Sequence, residues 1–276
     1  MLRCPKCSLV WVSPRWRDEA IHEVYGEDYW KSDRPRTKGY ANYASEAALY
    51  LKTFRRRMKF VARHVPPGGR ILAVGCAAGY FLRVTKDAGH DVFGVEVSPA
   101  IATEAIQALG ADRVWVGTLG SLPPDRPGCA PESFDLVTMW DVVEHVPDPQ
   151  ALLEQARAML RPGGKLIVET QNVDSRFAKL LGRRWHHFKH EEHIYHFNQK
   201  TIRRLLDQAG FAVESMTSGY AGKYVSFGFI AERASRLNRV ASLLLSPLGW
   251  FKRANVYLNF HDEMVVVATP RPPATR

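Results

Sequence analysis

Long apolar runs and cysteines are both scarce in this chain of 276 residues. No apolar run reaches the length of about 20 residues that a membrane-spanning helix needs, and the first residues carry no signal-peptide pattern. The four cysteines are too few and too scattered for a disulfide framework. These absences exclude membrane-spanning and disulfide-stapled classes, so we expect a protein of the reducing cytoplasm.

Acidic residues are also fewer than basic ones: the chain has 38 lysines and arginines and 28 aspartates and glutamates, which gives a net charge of +10. This balance favours anionic substrates, anionic membrane surfaces or nucleic acid as partners. The basic residues are dispersed and no nucleic-acid recognition module is present, so we expect no specific nucleic-acid partner. Apolar and charged fractions of 46% and 24% are ordinary for a globular protein.

The stretch 70–81 lacks two of the glycines that a dinucleotide-binding turn requires. An apolar run over 71–74 predicts a buried parallel strand, and small residues then lead into a helix. Small residues bring backbone N–H groups close to a ligand. A pyrophosphate turn needs glycines where this chain has Ala77 and Tyr80. An NAD-dependent Rossmann oxidoreductase is therefore an alternative that the turn disfavours.

The next predicted strand, 91–97, carries an acid at its end. Glu96 lies about twenty residues beyond Gly75, the spacing at which a carboxylate meets a ribose. A carboxylate there can accept hydrogen bonds from both ribose hydroxyls. Glu96 is therefore the strongest single candidate for ligand binding.

Strand and helix patterns alternate from Arg70 onward, which predicts a doubly wound, mostly parallel sheet. The helical periodicity of 41–64 precedes this pattern, and Pro162 to Gly164 predict a turn before the fifth strand. The predicted strands are 70–75, 91–97, 112–117, 134–140, 165–171, 211–217 and 262–269, and the predicted helices are 79–88, 99–109, 148–160 and 199–209. Ligands of such sheets bind at the carboxyl ends of the strands.

Three motifs carry a family resemblance: Gly75-x-Ala77-x-Gly79, the segment 134–149, and the segment 161–166. Together they cover about residues 70 to 170 and resemble the class I S-adenosylmethionine-dependent methyltransferases. The group concerned includes ubiquinone-biosynthesis O-methyltransferases and polysaccharide or antibiotic tailoring enzymes. The resemblance implies an α/β fold with a seven-stranded, Rossmann-like, mostly parallel sheet whose last strand is antiparallel.

The resemblance also implies a cofactor and a reaction. The expected cofactor is S-adenosyl-L-methionine, and the expected reaction moves its methyl group to an O or N atom of a small molecule. A sugar or a lipid-linked precursor is the expected acceptor. Carried onto this sequence, the cofactor-binding residues are Gly75, Cys76, Ala77, Gly79, Tyr80, Phe81, Glu96, Val97, Thr118, Leu119, Trp140 and Asp141.

Two alanines depart from the family pattern. Ala73 stands where the family usually has an acid that helps to hold the cofactor's ammonium group, and Ala77 replaces a usual glycine. Losing a charge-assisted hydrogen bond costs about 1.5–3 kcal/mol, enough to weaken binding tenfold or more. Main-chain carbonyls at Gly75 and around Trp140 could still hold the ammonium group. A catalytically inactive binding protein of the same fold therefore stays an alternative.

A histidine-rich stretch, 185–197, follows the fifth predicted strand. Its histidines and glutamates suggest a metal site, but the order His190-Glu-Glu-His193 lacks the helical His-Glu-x-x-His spacing. Glu192 to Tyr195 resemble the acceptor-side loop of the methyltransferase family, so we expect that loop and no metal. A neutral imidazole suits proton removal from the acceptor. His193 is the first candidate base and His145 the second, with structural capping as the alternative for His145.

The ends of the chain define the remaining units. Residues 1–40 are expected to form an arm that carries half of a zinc-ribbon-like site, because Cys4-Pro-Lys-Cys7 has no second pair. An incomplete site is favoured over bound zinc. Residues 18–40 either cover the substrate side or pack on the surface. The methyltransferase core is expected at 41–226, followed by an insertion at 227–260 and a final strand and tail at 261–276.

The insertion combines arginines and lysines with leucines and an aromatic pair, Trp250 and Phe251. This composition is typical of a helix on an anionic membrane surface. A dimer contact or an ordinary packing face is the alternative. We therefore keep a peripheral position at the inner face of the membrane as an open expectation, together with the oligomeric state.

Overall fold

The computed structural model describes residues 1–17, 26, 30, 46–231, 243, 246–251 and 254–272. The elements in chain order are β1 (Leu2–Arg3), β2 (Val10–Trp11), α1 (Ala47–Val61), β3 (Arg70–Val74), α2 (Tyr80–Asp87), β4 (Asp91–Glu96), α3 (Pro99–Leu109), β5 (Val114–Val116), β6 (Phe134–Trp140), α4 (Pro149–Met159), β7 (Leu160–Gln171), α5 (Arg176–Leu181), β8 (Tyr195–His196), α6 (Gln199–Gln208), β9 (Phe211–Thr217), β10 (Lys223–Ser226), β11 (Asn255–Leu258) and β12 (Glu263–Pro270).

A seven-stranded sheet with the order β5-β4-β3-β6-β7-β12-β9 forms the centre of the fold. Strands β3 to β7 run parallel to one another, whereas β12 runs antiparallel to both β7 and β9. The predicted α/β fold with an antiparallel last strand is therefore confirmed. The order reverses at β3, so the carboxyl ends of β3, β4 and β6 meet where a ligand is expected.

Helices cover both faces of this sheet, and alternate residues of β3 show why. Leu72 and Val74 belong to one apolar cluster, which also contains residues of α4 and α6. Ile71 and Ala73 belong to the opposite cluster, with residues of α1, α2 and α3. Burial on both faces explains why the strand reads as a continuous apolar run.

Most predicted boundaries lie within one or two residues of those in the structure, and the start of β7 differs by more. Strand β7 begins at Leu160 and continues through the turn predicted at 162–164. Gly163 has φ +80, and the pairing of β6 with β7 shifts register between Phe134 and Leu136. The left-handed glycine lets the chain bulge without ending the strand. Helix α1 begins at Ala47, and the residues 41–45 that were predicted to precede it lie outside the described part.

Two small sheets were not predicted from the sequence. Strand β2 pairs with both β1 and β8, which joins the N-terminal hairpin to the end of the histidine-rich stretch. Strands β10 and β11 pair at the two ends of the predicted insertion. Within the insertion, residues 232–242, 244–245 and 252–253 lie outside the described residues, as does most of the predicted arm at 18–40. Among the residues described, no helix is long and apolar enough to cross a membrane.

Candidate functional site

The turn after β3 is built from left-handed backbone. Gly75, Ala77 and Gly79 have φ values of 69°, 46° and 74°. A Cβ atom at Gly75 would lie 2.6 Å from a methyl group of Val142, so no larger residue fits there. The left-handed conformation costs about 1–2 kcal/mol at a residue with a side chain, as at Ala77. Such strain is typical of ligand-binding turns.

Glu96 joins this turn to the end of β4. Its carboxylate is buried, and its Oε2 accepts a hydrogen bond of 2.9 Å from the backbone N–H of Ala77. Its Oε1 accepts a second bond of 2.9 Å from the backbone N–H of Ser98. Burial raises the pKa of Glu96, and these backbone bonds oppose the rise. The structure therefore brings together the two features that the sequence predicted to hold a nucleoside.

Aromatic residues from the N-terminal part of the chain lie beside the turn. The Trp30 indole N–H donates to the Ser98 hydroxyl over 3.0 Å, and Trp30 packs against the buried cluster that contains Tyr80. Tyr50 stacks on Tyr80 with ring centroids 5.6 Å apart. Val97, next to Glu96, is partly exposed. Trp30 belongs to the predicted arm at 18–40 but was not singled out as a site residue, and Tyr50 lies in no motif.

Three other predicted cofactor residues have clear structural roles. Cys76 is buried beneath β4, and burial raises the pKa of its thiol. Thr118 caps a short turn after β5 by accepting a hydrogen bond from the Ser121 N–H. Leu119 is buried in the core. Thr118 and Leu119 lie at the expected edge because Val116 pairs with Glu96.

The end of β6 places Trp140 and Asp141 at the same edge. The Trp140 ring packs against Phe81, with centroids 5.4 Å apart, and its buried Nε1 has no hydrogen-bond partner. The backbone of Asp141 is in the left-handed region, with φ 54°, and its Oδ2 accepts a hydrogen bond of 2.9 Å from Lys223 Nζ. Its buried Oδ1 has no partner. These unpaired polar atoms and the strained backbone are typical of a binding site.

A buried charge network lies beside Asp141. The Arg57 guanidinium binds Glu169 through two hydrogen bonds of 2.6 and 2.5 Å, and Lys223 also donates to Glu263 over 2.7 Å. Burial raises the pKa of Glu169 to about 8 and that of Glu263 to about 7. Burial would raise the pKa of Asp141, but the Lys223 ammonium, its hydrogen bond and the Arg57 guanidinium together lower that pKa.

The sequence contained one signal for this network. Arg57 lies three residues after Phe54 on the apolar face of α1, where a charged side chain requires a buried partner. Nothing in the local pattern identifies that partner as Glu169.

Ala73 has a visible consequence for its neighbour. It pairs in register with Thr138 of β6, and the Thr138 hydroxyl is buried without a hydrogen-bond partner. An acid in place of Ala73 would lie beside this hydroxyl, so the substitution leaves a polar atom unsatisfied.

The two candidate bases lie together. The rings of His145 and His193 make an edge-to-face contact with centroids 4.6 Å apart. His193 Nδ1 lies 2.7 Å from the His187 carbonyl, and His145 Nδ1 lies 3.1 Å from the Glu192 carbonyl. A carbonyl only accepts, so each Nδ1 carries the hydrogen and the lone pair of each neutral imidazole is on Nε2. Burial lowers the pKa of both imidazoles, which favours their neutral forms.

Two groups of side chains could hold a metal ion in the described part of the chain. One consists of Glu144, His145 and His193, and the other of His186, His187 and Asp262. In each group the possible ligand atoms lie within 4.8 Å of one another. Among described residues, neither Cys4 nor Cys7 belongs to a group of this kind. Backbone N–H groups of Cys7 and Lys6 lower the pKa of the Cys4 thiol.

Comparison with known proteins identifies the family. A family model described as a methyltransferase domain matches residues 43–216. A ubiquinone biosynthesis O-methyltransferase of Xanthomonas campestris pv. campestris is 32% identical over 149 residues, which cover 48% of this chain and 61% of that protein. The matched part of the chain thus spans less than two thirds of the length of these relatives.

Solved structures agree with the fold. A SAM-dependent methyltransferase from Thermotoga maritima superposes with a TM-score of 0.53 at 19% identity, covering 83% of this chain and 95% of that one. A chain from a complex of a methyltransferase activator with a methyltransferase, from Haloferax volcanii, gives a TM-score of 0.57 at 18% identity. That match covers 93% of this chain and 100% of the other. At these identities the likeness shows the fold alone.

Proposed function

Because this chain belongs to the methyltransferase-domain family, we propose that it transfers a methyl group from S-adenosylmethionine to an O or N atom of a small molecule. The observation that carries the proposal is the buried Glu96 carboxylate, which is hydrogen-bonded to the small-residue turn after β3. A carboxylate held there suits a ribose, and a turn without the pyrophosphate glycines suits a ligand without phosphates.

The residues of this edge divide into two roles. Glu96 would hold the ribose, while Trp140 and the backbone near Gly75 would hold the methionine end. When bound, the cofactor supplies an electrophilic methyl group on its sulfonium. The protein has to orient the acceptor, exclude water and remove a proton, and near-attack placement alone can contribute about 7–11 kcal/mol.

Calorimetry with three ligands tests the proposal. We expect S-adenosylmethionine and S-adenosylhomocysteine to bind and NAD to give no heat. Binding of NAD alone would contradict the proposal and favour an oxidoreductase. Binding of none of the three would favour an inactive relative, the second candidate, which the unsatisfied Thr138 hydroxyl beside Ala73 supports.

His193 is proposed as the general base and His145 as its substitute. Both present a neutral Nε2, because their Nδ1 atoms lie against carbonyl oxygens. We expect His193→Ala to lower kcat by about 10²–10⁴-fold, the usual contribution of general acid–base catalysis. Single-turnover assays with the true acceptor measure this. The matched control is His190→Ala, an exposed histidine of the same loop, and unchanged turnover in both His193→Ala and His145→Ala would remove the assignment.

The pH dependence of the rate provides a separate prediction. An ordinary histidine base loses activity below a pH of about 6.5, because it becomes protonated. Burial lowers the pKa of His193 well below that value, so the neutral form persists as the pH falls. We therefore expect the acid limb of the kcat profile to lie below pH 6.5. An acid limb at or above that pH would show that the base is not this buried imidazole.

A lipid-linked acceptor is the finer proposal, and the insertion at 227–260 supports it. Trp250 and Phe251 are 86% and 65% exposed, and Lys252 and Arg253 follow them in the sequence. Burying one such aromatic side chain contributes about 1.5–3 kcal/mol. We expect the double variant Trp250→Ala/Phe251→Ala to co-sediment with anionic liposomes more than about tenfold less tightly.

The control for this experiment is Trp16→Ala, a tryptophan that is 56% exposed outside the insertion. Equal liposome binding by the wild type and both variants would remove the membrane role and leave the insertion as a packing or dimer face.

A further inference from the structure

A cluster of two histidines and an aspartate lies at the edge of the charge network. His186 and His187 follow α5, and Asp262 immediately precedes β12. The Nε2 atoms of His186 and His187 lie 3.8 and 3.9 Å from Asp262 Oδ2. The chain thus brings both imidazoles to one carboxylate from segments about 75 residues apart.

The Asp262 carboxylate is oriented by a hydrogen bond from a neighbouring tryptophan. The indole N–H of Trp185 donates to Asp262 Oδ2 over 2.8 Å, and Trp185 is almost fully buried. A hydrogen bond from a neutral buried donor orients the carboxylate and leaves its charge available. Metal-binding carboxylates are typically supported in this way.

His187 has an unused ring nitrogen. Its Nε2 is buried without a hydrogen-bond partner, although Glu263 Oε1 lies 3.3 Å away. That oxygen already accepts a hydrogen bond from Lys223. A buried nitrogen that faces two carboxylates without bonding to either requires an explanation.

We propose that His186, His187 and Asp262 bind a divalent transition-metal ion of the zinc type. Two imidazoles and one carboxylate are a donor set that zinc prefers, whereas magnesium and calcium prefer oxygen ligands. Two ligand atoms on a tetrahedral zinc ion lie about 3.4 Å apart. The two histidine–Asp262 separations therefore need to close by about 0.5 Å, and all the ligand atoms already lie within 4.8 Å of one another.

Two carboxylates border the cluster. Asp262 Oδ2 lies 3.8 and 3.9 Å from the two imidazole Nε2 atoms, and Glu263 Oε1 lies 3.3 Å from His187 Nε2. Lys223 already donates to Glu263, so Asp262 is the carboxylate that an ion at the cluster would bind.

One side of the cluster is open, since the His186 side chain is 41% exposed. The ion can enter there and keep a position for an outside ligand, as catalytic zinc sites do. His187 also stacks on His193, with ring centroids 5.9 Å apart. An ion here could coordinate an oxygen of the acceptor beside the proposed base. That role rests on the proposed function, whereas binding of the ion does not.

Metal titration of the full chain tests the inference. After chelator treatment, Zn²⁺ binding is measured by calorimetry, and Co²⁺ binding by the visible absorption that reports ligand geometry. We expect one ion per chain. His186→Ala and Asp262→Asn each remove a direct ligand, so we expect each to weaken metal affinity by more than about 100-fold. Loss of an outer-shell partner costs only about 10–100-fold. His186 is partly exposed, so its replacement leaves the fold intact.

Three controls locate the ion. His190→Ala changes an exposed histidine of the same loop and should bind metal as the wild type does. Cys4→Ser/Cys7→Ser removes the thiol pair, and Glu144→Gln removes a ligand of the neighbouring group. The inference would be overturned if metal binding were lost only in the cysteine variant or only in Glu144→Gln. It would also be overturned if His186→Ala and Asp262→Asn bound metal as tightly as the wild type. Adenosylhomocysteine binding, measured in parallel, separates this failure from failure of the proposed function.

Discussion

Glu96→Gln is expected to weaken adenosylhomocysteine binding by about 10²-fold or more. The buried carboxylate already accepts backbone N–H bonds from Ala77 and Ser98 at 2.9 Å each, so it is fixed in position before the ribose arrives. Each charge-assisted hydrogen bond to the ribose is worth about 1.5–3 kcal/mol. Glutamine keeps one acceptor oxygen but has no charge, so one ribose bond is lost, the other becomes a neutral bond, and the new amide N–H group faces a backbone N–H donor. Together these losses cost about 3 kcal/mol, which is about 10²-fold in Kd.

Isothermal calorimetry with adenosylhomocysteine measures this effect. Glu104→Gln is the matched control, because among the described residues that carboxylate accepts a bond of 3.2 Å from the Tyr80 hydroxyl and none from the backbone of the turn. We expect the control to bind within about threefold of the wild type. An unchanged Kd in a well-folded Glu96→Gln protein would show that the ribose lies elsewhere, and the proposed function would fail with it.

Glu169→Met is expected to lower the free energy of unfolding by about 3–5 kcal/mol, the cost of breaking a buried ion pair. The side chains of Arg57 and Glu169 are 3% and 0% exposed. Removing the carboxylate leaves Arg57 charged and buried, since a guanidinium does not give up its proton. Urea denaturation followed by circular dichroism measures the loss.

The reverse variant should be milder. In Arg57→Met the remaining Glu169 can take up a proton, because burial already raises its pKa to about 8. The double variant Arg57→Met/Glu169→Met should recover most of the stability, since apolar residues can replace a buried pair. Lys165→Met is the surface control: its ion pair with Glu214 is partly exposed and should cost less than about 1 kcal/mol. Equal small losses in all variants would show that the buried pair contributes no special stability.

Local pattern predicted the elements that frame the cofactor edge. Strand β6 matches its predicted range, and β3 and β4 each end one residue early. Apolar runs and small-residue turns are local properties, so they identify a strand and its end without reference to the rest of the chain. Glu96 and Ala77 were also identified from the sequence as cofactor residues, because the spacing between a strand end and the next acid follows from one βαβ unit. The hydrogen bond between them was not predicted.

Local sequence patterns did not predict the structure where segments distant in sequence contact each other. The turn predicted at 162–164 became a bulge in β7, because β6 pairs with Leu160 before the bulge and with Lys165 after it. The N-terminal hairpin reaches the histidine-rich stretch through β8. Neither segment contains a sequence pattern that identifies the other as its pairing partner.

The sequence by itself determined the parallel sheet, the turn without pyrophosphate glycines and the acid at the end of β4. Periodicity and spacing encode these within a few dozen residues. Only the tertiary structure decided which buried charges pair, which histidines share a carboxylate and which polar atoms stay unsatisfied. Arg57 and Glu169 lie 112 residues apart, and their pairing depends on how α1 packs against the sheet. Those partners depend on side-chain direction and on burial across the sheet, and a linear sequence pattern does not contain this information.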